Sequence, residues 1–214
     1  MFYKPMVKTF IITPGIFLGV LFSQTFSEST PVHTYSIVAF DEETGELGVA
    51  VQSHWFSVGF LVPWAKAGVG AVATQSFVKV DYGPEGLNRM EHGQSAEEAL
   101  NSLLAEDKGE AVRQVAMIDV KGSVAAHTGT KCIYAAGHQI GKNYSVQANL
   151  MEKETVWPSM ANAFERSNGD LAEKMMAALE AAEAEGGDIR GKQSAAMLIV
   201  SGNPTGIPWK DVVM

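Results

Sequence analysis

Residues 34–53 read TYSIVAFDEETGELGVAVQS, and this stretch decides the fold. Residues 34–40 are β-branched, aromatic or small, the mixture that suits a pleated and packed surface. Residues 41–46 carry the turn signal Thr44-Gly45, and residues 47–51 resume an apolar run. The pattern predicts an antiparallel hairpin. Further along, GVGAVAT at 68–74 reads as a third strand whose small residues admit close packing by another layer.

Helical signals follow. Ser95-Ala96-Glu97-Glu98 has the capping-box spacing, and Ala99, Leu100, Leu103 and Leu104 give the helix an apolar face before Asp107 and Gly109 stop it. Residues 115–120, a turn at Lys121-Gly122 and residues 123–127 predict a second hairpin. Two helices are then expected. One covers 160–166 and ends at Asn168-Gly169; the other runs from the cap Asp170 to Ala184, with Leu171, Met175, Ala178, Leu179 and Ala182 at helical spacing. Residues 194–200 read as a last strand. Paired strands, helices, paired strands, helices and a strand suggest two sheets with helices outside, undivided by linker or repeat.

Composition narrows the function classes. The 214 residues include 24 acidic and 16 basic side chains, a formal net charge of -8, which argues against a nucleic-acid partner. With 46% hydrophobic residues the chain can bury a core without staples. The single cysteine, Cys132, excludes an internal disulfide and a cysteine-built zinc site. Lys4 and Lys8 precede a mostly apolar run over 10–22 and a small polar stretch over 23–27, the order of a secretory signal peptide. That run is too short to span a bilayer as a helix. The expectation is a leader over 1–27, a short propeptide over 28–33, and an exported periplasmic or extracellular product without a stable membrane anchor.

Few residues offer chemistry. The five histidines, at 33, 54, 92, 127 and 138, show no metal-motif spacing, so no metal is expected. Gly68-Val69-Gly70 lacks the rest of a phosphate loop and lies inside a strand; no cofactor is expected. Cys132 with His127 and His138 is a conceivable thiol nucleophile and base, or a half-buried thiol beside two turn histidines. Thr34 opens the first strand directly after a dispensable leader. A threonine at a true chain terminus has its own α-amine, with an unperturbed pKa near ~8, as base for its hydroxyl. A strand-initial threonine is also an ordinary β-former.

From Thr34 the string TYSIVAFDEETGELGVAVQSHWFSVGFLVPWAKAGVGAVATQSFVKVDYGPEGL resembles the bacterial and archaeal family filed as domain of unknown function ten-twenty-eight. So do HGQSAEEALNSLLAED, AAHTGTKCIYAAGH, YSVQANLM and GGDIRGKQSAAMLIV; together they run from about Thr34 to Val200. That family is placed among the N-terminal nucleophile (Ntn) hydrolases, so the resemblance implies a four-layer αββα sandwich over 34–214. The first part is also similar in layout to the threonine-nucleophile asparaginases of that superfamily.

The resemblance implies an amidohydrolase acting on a small-molecule or peptide amide, with Thr34 as nucleophile. Ser53 and Lys66 would orient its amine and hydroxyl, and Thr74, Gln75, Thr128, Gly129 or Asn149 would supply oxyanion or substrate donors. Arg190 would clamp a substrate carboxylate through its planar fork. Structural roles fit each of them too: Ser53 and Thr74 end strands, Lys66 is a solvated turn charge, Asn149 bonds nearby backbone, and Arg190 joins a surface ion pair. Trp55, Phe56, Phe60 and Trp64 suit a pocket mouth, a subunit interface or the core. The competing expectation is a silent protein that uses the same sandwich to bind a peptide or cell-wall fragment.

Two departures shape these expectations. Pro31 and His33 are not signal-peptidase residues, so either a second cut, autocatalytic or not, exposes Thr34, or the protein is not an active Ntn enzyme. The family usually continues past Pro208-Trp209-Lys210-Asp211 into another strand, whereas this sequence stops at Met214. A truncated C-terminus leaving a bare sheet edge, or a homo-oligomer covering that edge, is therefore expected.

Overall fold

A computed structural model of the chain describes residues 31–32 and 34–214. The expected leader over 1–27 lies outside the described residues, as does the expected propeptide apart from Pro31 and Val32. In chain order the strands and first helices are β1 (Pro31–Val32), β2 (Thr34–Phe40), β3 (Leu47–Ser53), β4 (Pro63–Lys66), β5 (Gly70–Phe77), α1 (Tyr82–Glu91) and α2 (Ala96–Glu106). There follow β6 (Arg113–Asp119), β7 (Val124–Thr128), β8 (Gly137–Gly141), β9 (Tyr144–Ala148), α3 (Val156–Arg166), α4 (Leu171–Ala184), β10 (Ser194–Val200) and α5 (Pro208–Asp211).

The β2–β3 hairpin forms where the sequence predicts it, with Thr34 opposite Ser53 and Phe40 opposite Leu47. Its turn is closed by Asp41, whose Oδ1 accepts the N–H groups of Glu43 and Thr44, and by Gly45 at φ 76°. β2 becomes the centre of one antiparallel sheet, ordered β10-β3-β2-β9-β8. The other antiparallel sheet runs β7-β6-β5, and the outer edge of β5 carries two partners. β4 pairs with residues 70–73 of that edge, and β1 pairs with Ser76 and Phe77.

Alternation along the strands sorts the side chains into three cores. Val38, Val49 and Val51 meet Ala71, Ala73, Ala116 and Ile118 between the sheets. Tyr35, Ile37 and Ala39 face the opposite way and pack with Met160, Met175 and Leu179 of α3 and α4. Val72, Val115 and Met117 lie under Leu87, Ala99 and Leu100 of α1 and α2. The architecture is mixed α+β, with two antiparallel sheets and five helices among the described residues. None of these helices is long and apolar enough to cross a membrane.

The capping signals are realised at both predicted sites. Ser95 accepts from the Glu98 N–H while Glu98 returns a bond to the Ser95 N–H, and Asp170 and Glu173 do the same for α4. Several elements differ from expectation. The third strand starts at Gly70 and continues to Phe77, and α3 begins at Val156. Helix α1 forms despite Gly83, Pro84 and Gly86 because those glycines admit neighbours: a Cβ on Gly83 would lie 2.3 Å from the Trp64 ring, and one on Gly86 2.7 Å from Met117. The β8–β9 hairpin, also unanticipated, turns at Asn143 with φ 62°. The outer edge of β10 is not bare along its whole length, since Val213 and Met214 exchange backbone hydrogen bonds with Ile199.

Candidate functional site

The space between the sheets is apolar along most of its length and polar at one end. Alternation carries Thr34 and Ser36 on β2, Gln75 on β5, Gln114 on β6, and Ser145 and Gln147 on β9 into that end, joined by Asn149 just beyond β9. All seven are fully buried. Buried amides and hydroxyls are costly unless bonded, and here they bond one another.

Gln114 is the junction. Its Oε1 accepts from Gln75 Nε2 at 2.7 Å and from Asn149 Nδ2 at 2.9 Å. Its Nε2 donates to Ala148 O at 2.9 Å, Thr128 Oγ1 at 2.9 Å and Gly137 O at 3.1 Å. A second arm runs through Ser36, whose hydroxyl donates to Gln75 Oε1 and accepts from Gln147 Nε2, each at 2.6 Å. Both sheets are thereby tied together around Thr34.

The backbone of Thr34 is held from the same network. Its carbonyl oxygen accepts from the Asn149 N–H at 3.1 Å, from Gln75 Nε2 at 3.2 Å and from Asn149 Nδ2 at 3.4 Å. Each of these two donor residues is followed by a non-glycine in the left-handed region, Ser76 at φ 68° and Leu150 at φ 57°. Such backbone costs of order 1–3 kcal/mol per residue and is tolerated where the surroundings fix it. Here it turns the chain immediately after the side chains that grip Thr34.

The other expected site residues divide. Ser53 is the cross-strand neighbour of Thr34, and its hydroxyl accepts the Trp55 N–H at 3.1 Å. Gln75, Asn149 and Thr128 belong to the network described above. Thr74 does not: alternation turns it to the other face of β5, where its hydroxyl donates to Lys79 O at 3.2 Å. Lys66 is paired with Gly70 at the opposite end of β5 and ion-paired with Glu91 at 2.6 Å. It borders a cavity of about 870 Å³, which lies at that far end and includes none of the network residues. The Gly129 N–H is committed to Arg113 O at 2.8 Å, which removes it as an oxyanion donor. The Arg190 fork is engaged by the buried carboxylate of Asp188, with Nε 3.0 Å from Oδ1, instead of presenting an open clamp.

A cavity of about 650 Å³ opens beside the network, bounded among others by Thr128, Cys132, Tyr134, His138 and Trp157. Thr128 Oγ1 accepts from Gln114, which leaves its proton for His138 Nδ1, 2.8 Å away. Burial, then the charge of His127, hold the His138 imidazole below its ordinary 6.5 and favour the neutral ring. Burial pushes the Cys132 thiol up, although the Ser76 hydroxyl and the Gly129 N–H offset part of the shift. Its Sγ donates to Arg113 O at 3.2 Å, and His127 Nε2 is occupied by the carbonyl and carboxylate of Glu110. A raised thiol without a histidine base on it is a poor nucleophile. Among the described residues no group of three or more His, Cys, Asp or Glu could hold a metal ion.

Sequence reasoning missed Ser36, Gln114, Ser145 and Gln147, and it considered His138 only as a base for Cys132, whereas the ring bonds Thr128. The available signal was period-two polarity within apolar strands: Gln114 precedes Val115-Ala116-Met117-Ile118, and Ser145 and Gln147 alternate with Tyr144, Val146 and Ala148.

The chain is similar to the crystal structure of protein SPO2555 from Silicibacter pomeroyi, itself assigned to DUF1028. The two share 32% sequence identity with a TM-score of 0.74, over 79% of this chain and 76% of that one. No curated protein matches. The model of a family of unknown function, DUF1028, matches residues 34–214, so its match begins at the threonine around which the buried network is built. The chain belongs to this family of unknown function, DUF1028.

Proposed function

We propose that the protein is an exported amidohydrolase of the Ntn type, a four-layer αββα sandwich that becomes active when the chain is cut before Thr34. The observation that carries this reading is the placement of Thr34: first residue of a central strand, facing the inter-sheet space, with its carbonyl held by Gln75 and Asn149. β1 lies in one sheet and β2 in the other, so the bond to be cut sits where the chain crosses between them. The family match starting at Thr34 supports the same boundary.

In this mechanism the cut frees the Thr34 α-amine, which takes the proton from Oγ as the hydroxyl attacks an amide carbonyl. The C–N bond breaks, the leaving amine receives that proton, and an ester to Oγ remains. Water activated by the same amine then hydrolyses the ester, releasing the acid and restoring the hydroxyl. Gln75 and Asn149 keep the Thr34 backbone in place, while Ser53, across the hairpin, orients the new amine. Lys66, Thr74 and Arg190 take no part, given their positions and partners.

The silent-binder reading is favoured by one observation: Thr34 is fully buried in the chain that continues ahead of it. Turnover decides between the two. Purified protein assayed on a panel of small amides and short peptides should hydrolyse at least one, and Thr34→Ala should abolish that activity while keeping the thermal transition. Binding without turnover by the unmutated protein, or activity unchanged in Thr34→Ala, refutes the nucleophile.

A further inference from the structure

The outer edge of β5 is divided between two short strands. β4 covers residues 70–73, and the Thr74 N–H is closed by Val62 O at 3.1 Å. Beyond Gln75, the two positions 76 and 77 are filled by the chain's own β1, with Val32 opposite Ser76 and Pro31 opposite Phe77. This slot begins directly after Gln75, one of the donors onto the Thr34 carbonyl. It is also held in shape. Ser76 is fixed in the left-handed region, and Phe77 O accepts from Arg113 Nη1, itself anchored by the buried carboxylate of Asp107.

We infer that this two-residue slot is the recognition site for the acyl side of the substrate, and that the substrate class is an extended peptide adding as a strand to β5. The inference rests on the reading of the bond before Thr34 as the one cut. The acyl group released by that cut is the peptide ending Pro31-Val32-His33, and its backbone at Pro31 and Val32 already lies on β5. A substrate acyl group must reach the same Thr34 Oγ from the same side. Once the bond is broken, β1 is no longer tied to β2 by the covalent chain, and among the described residues its place on β5 rests on two ladder positions. Its departure opens the β5 edge at Ser76 and Phe77, where an incoming peptide can take the same register, the mode in which extended peptides add to a sheet edge. Main-chain pairing supplies affinity with little side-chain selectivity, and free asparagine or another lone small amide gains nothing from it.

Two measurements test this. On the processed wild-type protein, acetyl-Pro-Val-His-amide should be hydrolysed with a kcat/KM about tenfold or more above acetyl-His-amide, the gain expected from one or two ladder hydrogen bonds. Equal values overturn the slot. Independently of turnover, a fluorescent acetyl-Pro-Val-His carboxylate should bind Thr34→Ala protein opened by a specific protease site placed over residues 30–33. Binding should be at least tenfold weaker to the same protein left uncut, and hydrogen exchange at Ser76 and Phe77 should slow when the peptide is added. Equal binding to cut and uncut chains, or a peptide footprint elsewhere, overturns the inference even if Thr34 is the nucleophile. Peptide binding at Ser76 and Phe77 without hydrolysis by the wild type leaves the slot standing and refutes the hydrolase.

Discussion

Replacing Gln114 with leucine tests whether the buried amide network holds the two sheets around Thr34. The substitution removes two bonds into Oε1 and three from Nε2, while Gln75 Nε2 keeps its longer bonds to Thr34 O and Gln147 O and Asn149 Nδ2 its longer bond to Thr34 O. Leaving a buried donor or acceptor short of a partner costs about 1–3 kcal/mol, and these groups share partners, so the total is about 4 kcal/mol. The apolar leucine returns about 1 kcal/mol by burial. A net loss near 3 kcal/mol lowers the melting temperature by about 6–12 °C for a domain of this size. Thermal unfolding followed by circular dichroism reads it. Gln114→Glu is the companion: it keeps an acceptor for Gln75 and Asn149 but sets a carboxylate against Ala148 O and Gly137 O. Its folded pKa is therefore raised, and its deficit should grow as pH rises above the unfolded value near ~4.3. A Gln114→Leu protein melting within about 2 °C of wild type would refute the network's role.

Asp107 is 9% exposed. Burial alone would raise its carboxyl, but the Arg113 hydrogen bond, the Gly109 N–H and the charges of Arg113 and Lys79 outweigh it and hold the pKa below the ordinary 3.8. The folded value is depressed, so the stabilisation is present above pH 3.8 and disappears as pH falls through the folded value. Melting temperatures should drop below about pH 4, and the drop should be shallower in Asp107→Asn; parallel curves would contradict the assignment. Cys132→Ser should leave hydrolysis within about twofold of wild type, because the thiol is raised by burial and a hydroxyl can also donate to Arg113 O. A loss beyond about tenfold would transfer the nucleophile to Cys132.

Much of the frame was legible in the sequence because its signals are local. The Thr44-Gly45 turn, the capping box at Ser95, the cap Asp170 and the β-branched runs each specify a few consecutive residues, and the structure forms the hairpin, α2, α4 and β10 at those places. Helix α1 was hidden because Gly83 and Gly86 look like loop residues until Trp64 and Met117 are packed against them. Within the site the residues by themselves singled out Thr34, the family resemblance added Ser53, Gln75, Thr128 and Asn149, and nothing pointed to Gln114 or Gln147. Thr34 stands out by its position after the expected leader, whereas Gln75, Gln114, Gln147 and Asn149 converge from β5, β6, β9 and the segment after β9, at sequence separations a linear reading cannot close. Lys66 and Arg190 illustrate the reverse error. Both carry suitable chemistry, but pairing with Glu91 and with Asp188 commits them elsewhere.

The account turns on one bond. Intact-mass measurement and N-terminal sequencing of protein isolated from the compartment where it acts, on the same fraction that hydrolyses amides, locate the first residue of the active chain. The account predicts Thr34, with a free α-amine. Active protein that still carries Val32 and His33 ahead of Thr34 would contradict it.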